Sequence, residues 1–351
     1  MNNIAFIITK SQVGGAQKFV ADQIIYLKKN AFNLYLITNE NGWLTTETKQ
    51  SISGVLIDKG IESLKSPVFL YKLIKFLKEN NVSLIICNSA NGGLYGRIAA
   101  KICNKKSIYV SHGWSSVYNG GSLKFFYNKI EYWLSLIGTS ILCVSDNDVT
   151  IGKEVIGINP KKIMLIYNSI PSPKERYTPE IRKVKYNLLS VSRLEHPKRI
   201  DLMIDSVKEI ENVTLNIIGI GKHEQELKRK VEEEKIRNVI FIGEIEGFNK
   251  YYEYDIFILI SESEGLPMSA IEAMGNGLPI VISNVGGCRT LIHKNGELVD
   301  NNIMSIQNGI QNTILKINNY SSSSLDYFNE KFNLEHTIKT YVDYYKSVLN
   351  E

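Results

Sequence analysis

The residues best suited to chemistry gather in one stretch, DIFILISESEGLPMSAIEAMGNGLPIVISNVGGCRT, from Asp255 to Thr290. DIFILI reads as a buried parallel strand, and Pro267, Met268, Ile271 and Met274 fall as a helix start and its apolar face, closed by Gly275-Asn276-Gly277. Glu264 therefore stands in the loop and Glu272 about two turns into the helix. A carboxylate repels phosphate and accepts hydrogen bonds from hydroxyls, so the two acids suit two hydroxyl-bearing parts of one ligand, such as a ribose and a hexose. Gly265, Leu266 and Pro267 open the helix, where free amides favour an anion. Arg193 and Lys198, in SRLEHPKR, follow another strand, where two cations could meet two phosphates and neutralise a leaving group. Together these groups point to a sugar nucleotide.

Further candidates also follow strands. Gly14-Gly15, after IAFIIT, either lets the backbone approach a phosphate or a sugar or turns the chain into a helix. Gly219-Ile220-Gly221 lacks the third glycine and the later acid of a dinucleotide fingerprint. His112 follows YVS at the carboxyl end of a strand, facing the same crevice as the other loops.

The spacing Glu264-x7-Glu272 in its strand–loop–helix setting resembles the E-x7-E signature of retaining glycosyltransferases of the GT-B fold, most closely the large family 4 (glycosyl transferases group 1). The resemblance implies that Glu264 lies by the donor sugar, that Glu272 binds the ribose, that loop amides around Gly265 hold the diphosphate, and that Gly265, Leu266 and Pro267 all belong to the donor-binding loop. It implies that Arg193 and Lys198, matching the Arg and Lys of GRL-x-x-x-K-G, bind the diphosphate too, although Arg199 stands where that element has glycine. It places His112 against the donor hexose, Gly14-Gly15 against donor and acceptor, and Gly219 and Gly221 near the nucleotide base. Asn168-Ser169-Ile170-Pro171 departs from the family's Asn-Gly-Ile/Val-Asp and keeps only the Asn. The implied reaction is a metal-independent, retaining transfer of a hexose or N-acetylhexosamine, by front-face displacement, from a nucleotide diphosphate sugar to a glycan acceptor. A lipid-linked acceptor in bacterial surface polysaccharide assembly is expected. No resident cofactor is expected; a UDP sugar is the favoured donor, with GDP open.

The elements that must position these residues alternate strand and helix along the chain, which predicts an α/β fold. With the resemblance it becomes GT-B, two Rossmann-like doubly wound domains facing a central cleft. The expected bounds are 1–170 for an N-terminal acceptor-binding domain and 171–333 for a C-terminal donor-binding domain, joined through Pro171, Pro173 and Pro179. The amphipathic helix 334–351, with Leu334, Ile338, Tyr341, Tyr345 and Leu349 on one face, is expected to pack back on the first domain. INNYSSSSLDYF reads as a loop or capping segment, and Cys288 as the start of a further helix.

A chain of 351 residues with 44% hydrophobic residues suits two soluble domains. It shows no apolar run long enough to span a bilayer and no leader pattern, so the expected location is the cytoplasm, including the inner face of the cytoplasmic membrane. Cys87, Cys103, Cys143 and Cys288 form no CxxC pair, and the five histidines show no metal-ligand spacing. Asp146-Asn147-Asp148 could hold a metal with a diphosphate but reads more simply as a helix cap. Residues 1–178 carry 21 basic against 11 acidic residues, and 179–351 carry 20 against 25. A basic half attracts nucleic acid, an anionic membrane or a phosphorylated acceptor, and the resemblance favours the last two over nucleic acid. The segment from Gly120 to Leu142, GGSLKFFYNKIEYWLSLIGTSIL, reads as helical. Its Phe125, Phe126, Tyr132 and Trp133, interleaved with Lys124 and Lys129, suit either a core helix or one lying at a membrane interface. A sugar-nucleotide epimerase or glycan phosphorylase of the same architecture, and a catalytically silent binding module, are the alternatives.

Overall fold

In the computed structural model, residues 2–29, 32–118, 121–180 and 184–350 are described; Asn30, Gly120 and Glu351, which fall in expected elements, lie outside them. The chain divides into two compact units, Met1–Asn168 with Thr337–Glu351, and Ser169–His336.

The first unit holds seven parallel strands: β1 (Asn3–Ile7), β2 (Asn33–Thr38), β3 (Gly54–Ile57), β4 (Leu84–Asn88), β5 (Lys106–Ser111), β6 (Ser140–Cys143) and β7 (Ile163–Leu165). They lie in the order β3-β2-β1-β4-β5-β6-β7, so the winding reverses between β1 and β4. β1 and β4 are buried along almost their whole length, because runs such as IAFI and LIIC put apolar side chains on both faces of a covered sheet. Leu334–Asn350 is helical, and its Tyr341, Tyr344 and Tyr345 turn inward within this unit. Tyr341 Oη donates to Tyr167 O at 2.9 Å, and Tyr345 Oη to Gln23 Oε1 at 3.2 Å.

The second unit holds β8 (Tyr186–Val191), β9 (Val213–Ile218), β10 (Val239–Gly243), β11 (Ile256–Leu259), β12 (Ile280–Ser283) and β13 (Gly296–Val299), ordered β10-β9-β8-β11-β12-β13. Here the winding reverses between β8 and β11. In such sheets ligands bind beyond the carboxyl ends of the strands at the reversal.

Three sequence expectations are corrected. The serine run is helical, within Ile317–Lys331: Ser321 and Ser324 are buried, and Ser324 Oγ donates to Leu278 O at 2.8 Å. Small side chains let this helix lie close to the Met268–Gly275 helix, and tertiary packing overrides a weak local propensity. The segment after Gly286 is a short 3-10 turn, Gly286–Leu291, rather than a full helix. The helix expected across 120–142 covers Lys124–Ile137, and Phe125, Phe126 and Trp133 are exposed, which removes the core reading for them.

Candidate active site

In the second unit the loops after β8 and β11 are stitched together. Lys198 forms an antiparallel bridge with Ser261; Arg199 N donates to Ile260 O and Glu262 N to Pro197 O, both at 2.9 Å. Ser261 Oγ donates to Pro197 O at 3.2 Å. The result is that Lys198 Nζ sits on Glu264 Oε1, with the two side chains only 15% and 10% exposed. Water screens such a pair little, and removing one member strands a buried charge, at a cost of about 3–5 kcal/mol. The Glu264 backbone is held as well. Gly286 has φ +47°, a Cβ there would collide with the Glu264 carbonyl oxygen, and Gly287 N donates to that same oxygen at 3.2 Å. Cys288 lies beside the pair; burial first, and then the Glu264 carboxylate, push its thiol far up, so it stays protonated.

The helix Met268–Gly275 starts after Pro267, whose side chain offers no cap, so its first-turn amides keep the anion preference of a helix start. Glu272 projects from this helix, and Tyr251 Oη donates to its Oε2 at 2.5 Å. Tyr251 is 1% exposed, and burial, then the Glu272 charge, hold its hydroxyl protonated. One oxygen of Glu272 is thereby fixed, and with it the plane of the carboxylate.

Arg193 is placed differently from Lys198: its side chain is 74% exposed and lies 2.7 Å from Glu195 Oε1. An exposed pair of that kind contributes about 0–1 kcal/mol, so the guanidinium is easily drawn to another anion. Arg199, at the position where glycine was expected, turns to Asp201 at 2.8 Å and Glu262 at 3.3 Å. Gly219, at φ +137°, and Gly221 bring the loop after β9 onto the Arg193 loop: Cβ atoms there would strike Ser192 and Leu194 backbone. Leu194 N donates to Ile220 O at 2.9 Å and His223 N to Leu194 O at 3.0 Å across that approach.

In the first unit His112 follows β5, with Nε2 2.9 Å from Asn88 Oδ1 at the end of β4. Asn88 Nδ2 donates to Ile86 O at 3.3 Å, which orients the amide. On that assignment Nε2 carries the hydrogen and Nδ1 a lone pair. Burial pushes the His112 pKa down to about 4, so the ring is neutral at pH 7. Phe19, from the Gly15–Lys28 helix, meets it edge-on at 4.9 Å. Gly14 caps that helix in extended backbone, and Gln17 Oε1 occupies the place a Cβ would need.

Ser89, next to Asn88, has φ +64° and ψ 166°, a region that only glycine adopts readily. Thr9 holds it there, Oγ1 to Ser89 Oγ at 2.6 Å and N to the same oxygen at 3.1 Å. Asp148 is buried below the His112 loop: Ser145 Oγ donates to its Oδ2 at 2.9 Å, and Trp114 Nε1 to its backbone oxygen at 2.8 Å. Burial pushes the Asp148 carboxyl up to about 7, against the pull of Ser145 and of the Gly113 and Trp114 amides. Asp146 instead accepts from Tyr167 Oη at 2.7 Å, so the two carboxylates of Asp146-Asn147-Asp148 face different partners. Ser145 caps the helix Asp146–Thr150 by accepting from Asp148 N at 3.1 Å.

Residues 13–172 match Glycosyltransferase Family 4, and residues 172–322 match Glycosyl transferases group 1. The chain is similar to the O-antigen biosynthesis glycosyltransferase WbnH of Escherichia coli, at 40% identity over 349 residues, covering 99% of each. The chain belongs to this glycosyltransferase family. It is also similar to the UDP-Gal:alpha-D-GlcNAc-diphosphoundecaprenol alpha-1,3-galactosyltransferase of Escherichia coli, 26% identical over 315 residues, with 82% of this chain and 81% of that one covered. In fold it is similar to the Anabaena protein HepE solved with UDP and glucose, at a TM-score of 0.85, 18% identity, and coverage of 98% and 99%.

Within this glycosyltransferase, the sequence motifs put Lys198 and Glu264 in loops after two strands and Glu272 on a helix, but gave no sign that Lys198 pairs with Glu264. They missed what holds those groups. Tyr251, Ser261 and Gly286 lie outside any spacing rule, because the contacts that matter come from loops after different strands. Only the Gly286-Gly287 pair carried a signal, that of a position where backbone must approach backbone. In the first unit Asn88 and Ser89 were equally silent, and Asp148 was read only as part of a metal-binding or capping triplet, not as a buried carboxyl below the His112 loop.

Proposed function

We propose that this glycosyltransferase moves a hexose or N-acetylhexosamine from a UDP sugar to a hydroxyl of a lipid-linked glycan, with retention and without a metal ion. The second unit takes the donor and the first unit the acceptor. The observation that carries the reading is the Lys198–Glu264 pair at the reversal between β8 and β11, beside a helix start with no side-chain cap. Lys198, with Arg193 and the amides around Gly265, neutralises charge on the departing diphosphate, the part a metal plays elsewhere. Glu272, fixed by Tyr251, accepts from the ribose hydroxyls, and Glu264 lies by the hexose. His112, neutral, offers Nδ1 to a sugar hydroxyl.

The acceptor oxygen bonds to the anomeric carbon on the face that the diphosphate leaves, the C–O bond to phosphate breaks, and the acceptor proton passes to the departing phosphate oxygen. The relatives named above for O-antigen biosynthesis and for a diphosphoundecaprenol-linked substrate support a lipid-linked acceptor in surface polysaccharide assembly. A reaction on such an acceptor belongs at the cytoplasmic face of a membrane, with peripheral association to an anionic surface.

The test is turnover of UDP-galactose, UDP-glucose and their N-acetylated forms on diphosphoundecaprenol-linked sugars, with and without EDTA. An α-linked product from an α-linked donor, formed equally with chelator, is expected. A β-linked product, or activity that is lost with EDTA and returns with Mn²⁺, overturns the mechanism.

A further inference from the structure

The helix Lys124–Ile137 is fixed on its inner side and uncovered on its outer one. Inward, Glu131 Oε2 accepts from Arg97 Nη2 at 2.8 Å, and the Arg97 guanidinium lies 4.2 Å from the centre of the Tyr109 ring. Leu134 and Ser135 are buried beside it. Lys162 Nζ closes the carboxyl end, donating to Ser135 O at 2.7 Å and Gly138 O at 2.8 Å. The helix is therefore anchored in one rotation, and its outer residues are not core side chains lacking a neighbour.

Outward, Phe125 is 76%, Phe126 60% and Trp133 64% exposed, with Leu136 at 51% beyond them. Those three rings alone present about 400 Å² of apolar surface, the size at which a patch marks an interaction site. Lys124 and Lys129 are exposed among them, and Lys129 Nζ lies 5.4 Å from the Phe125 ring centre. The helix's one acid, Glu131, is turned inward, so the outer face carries no negative charge. The unit as a whole holds 21 basic against 12 acidic residues.

We infer that this outer face is a membrane-docking surface, on which the aromatic rings enter the headgroup region of an anionic bilayer while Lys124 and Lys129 meet lipid phosphates. A helix of 14 residues is too short to cross the hydrocarbon and suits one lying in the interface plane. A face of mixed rings and lysines, without acids on the helix's outer side, fits a broad anionic surface better than a second copy of the chain, which would set these lysines against themselves. The inference extends the lipid-linked reading to a named surface, and it is tested without the transfer reaction, so failure of the transferase assay leaves it standing.

The full chain is floated with vesicles of phosphatidylcholine alone and of phosphatidylcholine with phosphatidylglycerol, over a salt series. Binding to the anionic vesicles, falling as salt rises, is expected, with a blue shift of Trp133 emission that Trp133→Phe removes. Lys124→Glu with Lys129→Glu lowers partitioning by about twenty-five-fold or more, since each lysine is worth about five-fold. Phe125→Ser with Trp133→Ser lowers it by about ten-fold, while UDP binding and the far-ultraviolet spectrum stay as in the wild type. Wild-type protein left in the supernatant at low salt overturns the inference, as does unchanged binding by both double variants. Light scattering that shows a dimer broken by the same substitutions also overturns it, because the face is then a contact between copies.

Discussion

In the second unit the loops at the sheet reversal carry charges that already face one another: Lys198 on Glu264, Arg199 on Asp201 and Glu262, Arg193 on Glu195. In the first unit the corresponding loops carry a neutral imidazole, an amide, two hydroxyls and glycine turns, over one buried carboxyl pushed toward neutrality. Both units have the same strand-order reversal, so the backbone does not account for the contrast. Under the function proposed above, it follows from what each loop set is to stabilise. A diphosphate leaving group brings a large charge change, met by cations held ready and kept from collapsing by their own acids. A sugar hydroxyl brings none, and neutral donors and acceptors recognise it without the desolvation that a charge would cost.

The contrast breaks most visibly at Lys198. Lys198→Ala should lower turnover by about 10²- to 10³-fold, as expected for one preorganised group facing developing charge. It should also lower the melting temperature, because Glu264 is left buried and unpaired. Lys198→Ala combined with Glu264→Gln should recover much of the stability and none of the turnover. Recovery of turnover in the double variant would show that Lys198 serves only to neutralise Glu264.

A smaller effect sharpens the nucleotide side. Glu272→Ala should weaken UDP binding by about 10- to 100-fold, from loss of a charged acceptor worth about 1.5–3 kcal/mol. Tyr251→Phe, which keeps the buried ring and frees only the carboxylate plane, should weaken it by about five-fold. Titration calorimetry with UDP measures both. Unchanged affinity in Tyr251→Phe would reduce that tyrosine to packing.

How far these groups could be read from sequence depends on how each is held. Glu264 and Glu272 were legible because they sit at a fixed spacing along one strand–loop–helix, and Lys198 because it follows its own strand in a second one, where local rules apply. β13 escaped because Gly-Glu-Leu-Val is short, polar at Glu297 and half exposed at a sheet edge. Its Gly296 has no room for a Cβ against the Ile280 carbonyl, a packing fact with no local signature. The helical serine run escaped because packing against the Met268–Gly275 helix, not propensity, sets its conformation. The first unit's neutral cluster was only partly legible: His112 stood out at the end of its strand and Asp148 within its acidic triplet, but Asn88 and Ser89 gave no signal, since loops after different strands bring the four together without a charge pattern.

That cluster yields the smallest and most specific effect, a pair of opposite pH dependences. His112 is held near pKa 4, below its ordinary 6.5, so its contribution to stability is full above about pH 6.5 and is lost as pH falls toward 4. Asp148 is held near 7, above its ordinary 3.8, so its contribution is full below about pH 3.8 and is lost as pH rises through 7. Between pH 4 and 7 the two slopes oppose and partly cancel. Asp148→Asn keeps the shape and the Ser145 contact but removes one slope. Its melting temperature relative to wild type should therefore climb with pH across that window, by a few degrees, for a domain of this size. His112→Gln should give the reverse trend, its advantage greatest at the acid end. Both shifts are read by thermal unfolding in matched buffers. A pH-independent offset for Asp148→Asn would mean that the carboxyl is ionised throughout, and the first unit would then carry a buried charge like the second, removing the contrast between them.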